Sequence, residues 1–203
     1  MSRLCVKSLL LLWCGAVAVG LTVMLNYDFT PARSIAATSQ WPAGSRLKPG
    51  QNCPTLLMFI HPQCPCSRAS LIELGKFAST RRSPIALRIV LIRPKKFEEG
   101  WERTSLYTLA ERIPHAIVIT DPDAQEAKRF GATTSGETLL YAADGRLVFQ
   151  GGLTAARGHE GRSAGQDALQ ELIGADGSRV CRTSVFGCAL GETSSPRKGS
   201  TTP

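Results

Sequence analysis

Hydrophobic and polar residues alternate along the middle of the chain in a pattern that predicts strands followed by helices. Mainly apolar runs rich in β-branched residues predict buried strands at 55–60, 85–92 and 116–120. Apolar residues three or four positions apart predict helices at 68–79, 98–112, 122–130 and 165–173. Two strands, 138–142 and 146–150, flank Asp144-Gly145, a strong hairpin signal. This order predicts an α/β fold, with a mixed central sheet and helices on both faces.

The N-terminal pattern is different, because residues 8–25 carry no charge at all. The run is long enough to span a membrane and longer than the usual core of a cleaved signal peptide. Arg3 and Lys7 precede the run, so we expect the N-terminus to stay in the cytoplasm and the rest to be exported. The pattern favours an uncleaved signal-anchor, with cleavage near Ser34-Ile35-Ala36 as the alternative. We therefore predict a single-pass cell-membrane protein whose domain lies on the periplasmic or extracytoplasmic side.

These patterns divide the chain into four parts. Residues 1–28 form the signal-anchor, and 29–50 form a linker rich in turn-forming residues. Residues 51–175 form the folded domain. Residues 176–203 form a cysteine-containing tail, whose Ser/Thr/Pro-rich end is predicted to be disordered. The net charge is +8, but no nucleic-acid motif or interleaving of aromatic and basic residues accompanies it, so we expect no nucleic-acid partner.

The candidate chemistry lies where the first predicted strand meets the first predicted helix, at His61-Pro62-Gln63-Cys64-Pro65-Cys66-Ser67. A helix N-terminus carries partial positive charge and unpaired N–H groups, so it stabilises a thiolate. The thiolate is the reactive form of cysteine. Pro65 suits the first turn of a helix, and a cationic His61 would raise the thiolate fraction. Cys64 and Cys66 are therefore the candidate catalytic residues.

Five of the seven cysteines follow the apolar run: Cys53, Cys64, Cys66, Cys181 and Cys188. In an oxidising compartment such thiols are usually paired, redox-active or bound to metal. Cys181 and Cys188 are close enough in sequence for a structural disulfide. A cysteine pair at a strand-to-helix turn is also a thioredoxin-like signal.

On these residues the chain resembles membrane-anchored thioredoxin-like proteins of the TlpA/ResA type and, more closely, the RedB group. The RedB-like stretches are the Cys-Pro-Cys-Ser turn and four short segments: Thr134-Ser135-Gly136, Gly151-Gly152-Leu153-Thr154, 157–161 and Val185-Phe186-Gly187-Cys188. The resemblance implies a thioredoxin-like fold and exchange with exported protein thiols and disulfides.

The chain departs from the TlpA pattern at two positions. The first family cysteine falls on Cys64, but the second falls on Ser67, so Cys66 is an additional thiol one place early. Gly136 stands where the family has a cis-proline, which in that fold lies against the cysteine turn. Because glycine has no ring and keeps its N–H, we expect a more open site there, one that a soft metal or a bulky partner disulfide could enter.

Two functions of different classes follow from these thiols. In the first, Cys64 attacks a partner disulfide and Cys66 resolves the mixed disulfide. Cys53 or a tail cysteine is the alternative resolving thiol. This function needs no cofactor and would make the protein an oxidoreductase. In the second, Cys64, Cys66 and His61 bind a soft ion such as Cu(I), making the chain a copper-binding or delivery module. A third hypothesis is that the chain is a redox-inactive, membrane-tethered scaffold. The sequence favours thiol–disulfide exchange.

Overall fold

The computed structural model describes residues 3–81, 83–173 and 180–191, and it divides the chain into two compact units, Met1–Thr30 and Pro31–Pro203. The first unit holds one helix, α1 (Arg3–Phe29). Of this helix, Val6–Phe29 is long and apolar enough to cross a membrane. The predicted disordered end, 192–203, lies outside the described residues.

Within its described residues, the second unit contains a six-stranded mixed sheet and four helices. In chain order these elements are β1 (Thr55–Ile60), α2 (Ser67–Thr80), β2 (Ala86–Arg93), α3 (Ser105–Glu111), β3 (Ala116–Pro122), α4 (Gln125–Phe130), β4 (Glu137–Tyr141), β5 (Leu147–Gly151), α5 (Ala164–Leu172) and β6 (Cys181–Arg182). The strand order across the sheet is β3-β2-β1-β4-β5-β6. Strands β1, β2 and β3 are parallel, and β4 runs antiparallel to β1 and β5.

Strand β1 lies in the middle of the domain and contributes to both of its cores. Because successive side chains of a strand point to opposite faces, Leu56, Met58 and Ile60 pack with apolar residues of α2, α3 and α5. Leu57 and Phe59 pack on the other face, with apolar residues of α4. All six β1 residues are buried. The end of β1 is therefore held rigidly, and so is the turn that follows it.

Two predicted boundaries need correction. The predicted linker packs on the domain from residue 31 onwards: Ala37 and Leu47 are buried in the core beside α4, and Trp41 makes an edge contact with Phe130. The predicted helix at 98–112 begins only at Ser105, because Thr104 is its N-cap and accepts a hydrogen bond from the Leu106 N–H. Short strand β6, next to β5, was not predicted.

The remaining predicted elements agree with the structure within a few residues. The mixed sheet, the helices on both faces and the closing β4–β5 hairpin with α5 confirm the predicted thioredoxin-like α/β fold. The turn that carries Cys64 lies between β1 and α2, beside the start of β4.

Candidate active site

The cysteine turn is a compact structure closed by its own backbone. The Cys64 N–H donates to the His61 carbonyl at 3.0 Å, and the Ser67 N–H donates to the Cys64 carbonyl at 3.1 Å. Cys66 is the N-cap residue of α2 and has helical dihedral angles (φ −65°, ψ −27°). Pro65 is exposed, and its carbonyl accepts from the Arg68 N–H at 3.4 Å. The turn places Cys64 at the positive end of α2, as predicted.

Cys64 lies against Cys188, one of the two tail cysteines that the sequence left open as its resolving thiol. The two sulfur atoms are 2.9 Å apart, although 124 positions separate the residues in the chain. Cys64 is 1 % exposed, whereas Cys188 and Cys66 are only partly buried. All described cysteines of the second unit are free thiols, so Cys181 and Cys188 form no disulfide in this structure. Cys188 contacts Cys64 instead.

The environment gives these thiols different acidities. The hydrogen bond from Cys188 lowers the pKa of Cys64 to about 4, and bonds from Ser67 act in the same direction while burial opposes them. The same hydrogen bond raises the pKa of Cys188 far above its ordinary value. Burial and the negative charge of Cys64 raise the pKa of Cys66. At neutral pH the site therefore holds one thiolate, on Cys64, with two protonated thiols beside it.

Ser67 occupies the place of the second family cysteine and is fully buried. Its Oγ lies 2.6 Å from the Oγ of Ser135, and Ser135 Oγ accepts the His61 N–H at 2.7 Å. This hydroxyl pair ties the cysteine turn to the loop before β4. Ser67 thus supports the Cys64 thiolate by hydrogen bonding instead of supplying a second sulfur.

His61 is buried and uncharged in this site. Its Nδ1 accepts the Gln63 N–H at 3.2 Å, and its ring makes an edge contact with Trp101, with centroids 5.7 Å apart. Burial lowers the pKa of His61, and the nearby Cys64 charge only partly offsets this. The predicted cationic role is therefore wrong at neutral pH, because a desolvated imidazole favours its neutral form.

The backbone at Gly136 packs closely against its neighbours, so the prediction of a more open site at this position is also wrong. Its N–H donates to the Phe59 carbonyl at 2.7 Å, and its φ is +89°. A Cβ at this position would lie 2.8 Å from Ser70 Oγ. No described peptide bond is cis. Proline would lose the hydrogen bond and could not adopt this φ, so glycine is what this loop requires.

The structure separates the other two thiols from Cys64. Cys53 precedes β1 and Cys64 follows it, so the six residues of that strand lie between them, which is roughly 20 Å of extended chain. Cys181 lies in β6, where it pairs with Phe149 of β5. It packs against the core that contains α2, α3 and α5. The alternative in which Cys53 resolves Cys64 is therefore wrong for this structure, because β1 holds the two residues apart.

The sequence left Cys188 among several alternatives for the resolving thiol, and it gave no role at the site to Ser135 or Arg157. Arg157 Nη1 donates to the Gly187 carbonyl at 2.6 Å, and its charge lowers the pKa of Cys66, against the larger effect of burial. The RedB-like segments containing these residues were the available signal. Their separation in the sequence concealed that they meet at one place.

In its fold and its thiol-bearing turn, this chain is similar to the thioredoxin-like proteins. No protein-family model and no curated protein matches the chain. Among solved structures it is similar to a hypothetical protein from Sinorhizobium meliloti, with TM-score 0.60 and 22 % identity, covering 82 % of this chain and 100 % of that one. An uncharacterized conserved protein from Geobacillus kaustophilus gives TM-score 0.58 and 16 % identity, covering 82 % and 94 %. At such identities the likeness concerns the fold.

A third similar structure is a secreted disulfide oxidoreductase from Mycobacterium tuberculosis, described as homologous to E. coli DsbE. It gives TM-score 0.42 and 18 % identity, covering 61 % of this chain and 82 % of that one.

Proposed function

We propose that this chain is a membrane-tethered thiol–disulfide oxidoreductase whose nucleophile is Cys64, acting on thiols and disulfides of exported proteins. One observation carries the proposal: a single low-pKa thiol stands at the start of α2 in a thioredoxin-like fold. A depressed thiol pKa at a helix N-terminus is the usual mark of a reactive cysteine. The resemblance to the RedB group supports the same function.

The reaction begins with attack of the Cys64 thiolate on one sulfur of a partner disulfide. The partner's S–S bond breaks, a bond forms between Cys64 and that sulfur, and the other partner sulfur leaves as a thiolate that takes up a proton. A second thiol then attacks the mixed disulfide and releases the partner reduced. The same steps in reverse oxidise a partner dithiol.

Reduction of a disulfide-containing peptide, with dithiothreitol as the electron source, tests this function on the full chain in detergent. Cys64→Ser should remove the activity, because it removes the thiol of lowered pKa at the start of α2. Cys53→Ser is the matched control and should retain it, since that thiol lies at the other end of β1. Retained activity in Cys64→Ser, or its absence from the wild type, would refute the proposed function.

We also propose that α1 stays in the protein as a membrane anchor, with the domain outside the cytoplasm. The support is the length and apolar composition of Val6–Phe29 and the positive charges of Arg3 and Lys7 ahead of the uncharged run. A reporter enzyme that works only after export, fused behind Pro203, should be active. Activity of a cytoplasm-specific reporter at the same position would contradict the orientation.

Binding of Cu(I) by the same thiols is the alternative function. The observation in its favour is that Cys188 adds a third sulfur beside Cys64 and Cys66, and thiolates suit this ion. Against it, no group of three or more His, Cys, Asp or Glu side chains forms a metal site within the described residues. Anaerobic titration of the reduced protein with Cu(I) and a competing chelator separates the two functions. Tight binding that needs both Cys64 and Cys66, without exchange activity, would favour copper.

A further inference from the structure

Cys188 reaches the site on a stretch that we name the docked segment, residues 184–190. This segment pairs with the loop before β4 as a short antiparallel strand would. The Ser135 N–H donates to the Cys188 carbonyl at 2.8 Å, and the Leu190 N–H donates to the Thr133 carbonyl at 2.8 Å. Backbone bonds on both sides of the sulfur therefore fix the position of Cys188.

Side-chain contacts hold the docked segment from its other edge. Val185 and Phe186 are buried, and Arg157 Nη1 donates to the Gly187 carbonyl. Gly187 is packed so closely that an added Cβ would overlap the Ser135 carbonyl oxygen. Glycine is thus required for the backbone to approach the loop, and this approach brings the next residue, Cys188, to Cys64.

The geometry favours Cys188 over Cys66 as the partner of Cys64. Cys66 follows two positions later in a helical turn, and residues at that spacing do not face each other. The Cys188 sulfur already lies 2.9 Å from the Cys64 sulfur. A disulfide bond is about 2.05 Å long, so bond formation needs an approach of about 0.9 Å.

We infer that Cys188 is the resolving thiol of Cys64, and that the redox-active pair of this protein is Cys64–Cys188 and not Cys64–Cys66. This inference rests on the proposed function and names its second residue. The docked segment thereby supplies from the C-terminal part of the chain the sulfur that related proteins carry at the position of Ser67.

The resolving step balances within the chain. In the mixed disulfide, Cys64 is bonded to a partner sulfur. Cys188 loses its proton and attacks the Cys64 sulfur, the Cys64–Cys188 bond forms, and the partner leaves as a thiolate that is then protonated. Over both steps the Cys64 thiolate and the Cys188 thiol give two electrons to the partner disulfide, which becomes two thiols with one proton from Cys188 and one from solvent.

The docked segment also covers the nucleophile, because Cys64 is 1 % exposed beneath it. A partner sulfur therefore reaches Cys64 when the segment moves away from the loop at 133–135. Its return brings Cys188 back to the mixed disulfide and expels the partner. Entry of the partner and its release thus depend on the same segment.

Trapping of a mixed disulfide tests the inference on the full chain, with oxidised glutathione as the probe. In the wild type, peptide mapping should find a Cys64–Cys188 disulfide and little bound glutathione. In Cys188→Ser, glutathione should remain on Cys64, with a lifetime longer by roughly two orders of magnitude, because a positioned intramolecular thiol has a high effective concentration. Cys53→Ser is the matched control and should release glutathione as the wild type does. Cys66→Ser, which removes the rival resolving thiol, should not trap glutathione.

Other outcomes distinguish this inference from the proposed function. A Cys64–Cys66 or Cys181–Cys188 disulfide in the wild type, or trapping by Cys66→Ser and not by Cys188→Ser, would overturn the role of Cys188 and leave exchange at Cys64 intact. Failure of Cys64 to form a mixed disulfide in every variant would refute the proposed function itself. Circular dichroism, with Cys188→Ala as a second variant, checks that the substitution leaves the fold unchanged.

Discussion

Substitution of Gly187 by alanine should separate Cys188 from Cys64 without removing either thiol. An alanine Cβ would overlap the Ser135 carbonyl oxygen and would lie 3.2 Å from Thr134 Cγ2. The obstacle is backbone in a buried loop, which cannot turn aside as a flexible side chain can. The docked segment must therefore move away from the loop.

The size of the effect follows from the hydrogen bonds that this movement breaks. Three are at stake: Ser135 N–H to Cys188, Leu190 N–H to Thr133, and Arg157 to Gly187. At about 1 kcal/mol each they contribute about 3 kcal/mol, which corresponds to roughly a hundredfold change in the equilibrium for closing the disulfide.

The assay is the equilibrium between this disulfide and glutathione buffers of known ratio. We expect Gly187→Ala to need roughly a hundredfold more oxidising buffer for half-formation of Cys64–Cys188. Gly191→Ala is the matched control, because nothing lies within 4 Å of an added Cβ there, and it should behave as the wild type. Equal equilibria in wild type and Gly187→Ala, or an equal loss in Gly191→Ala, would refute the reasoning.

Two further predictions concern the thiolate and the loop. Because the Cys188 hydrogen bond is the largest cause of the low Cys64 pKa, Cys188→Ala should move the thiolate's ultraviolet absorbance step from near pH 4 to higher pH; an unmoved step would contradict this. Since thiolate lies on the high-pH side of that step, the wild type keeps it at neutral pH and loses it on acidification. Gly136→Pro should lower the free energy of unfolding by roughly 3 kcal/mol or more, because proline removes the hydrogen bond to the Phe59 carbonyl and cannot adopt the observed φ. Urea denaturation measures this free energy. An unchanged midpoint would show that the loop tolerates proline.

Strands β1 to β5 were predictable because their signal is local. The run at 55–60 is almost continuously apolar, which is typical of a central strand buried on both faces. Strand β1 has the predicted bounds. The helix at 98–112 was predicted too long because apolar spacing continues through Trp101, whereas a capping Thr104 starts the helix later. The stretch from residue 31 to 50 was misread because turn-forming composition does not distinguish a free linker from coil packed on a core.

Only the part of the site formed by consecutive residues, the cysteine turn, was predictable. Position after β1 and before α2 identified Cys64, since strand, turn and helix are consecutive in the chain. The contact with Cys188 spans 124 positions and depends on how Gly187 packs against Ser135, for which a single sequence contains no periodic signal. The RedB-like segments contain the residues that meet there, but nothing in their sequence shows that they are neighbours.

The buried hydroxyls under the cysteine turn bear on the direction of electron flow. Ser135 Oγ accepts the His61 N–H and lies 2.6 Å from Ser67 Oγ, and Ser67 in turn stabilises the charged sulfur of Cys64. This chain of aligned dipoles has its full effect when that sulfur is an anion, and the anion exists only while the pair is reduced. Stabilisation of the reduced form makes a dithiol pair a better oxidant. Under the proposed function, this electrostatic bias favours the reverse direction of the exchange, in which the pair takes electrons from a partner dithiol.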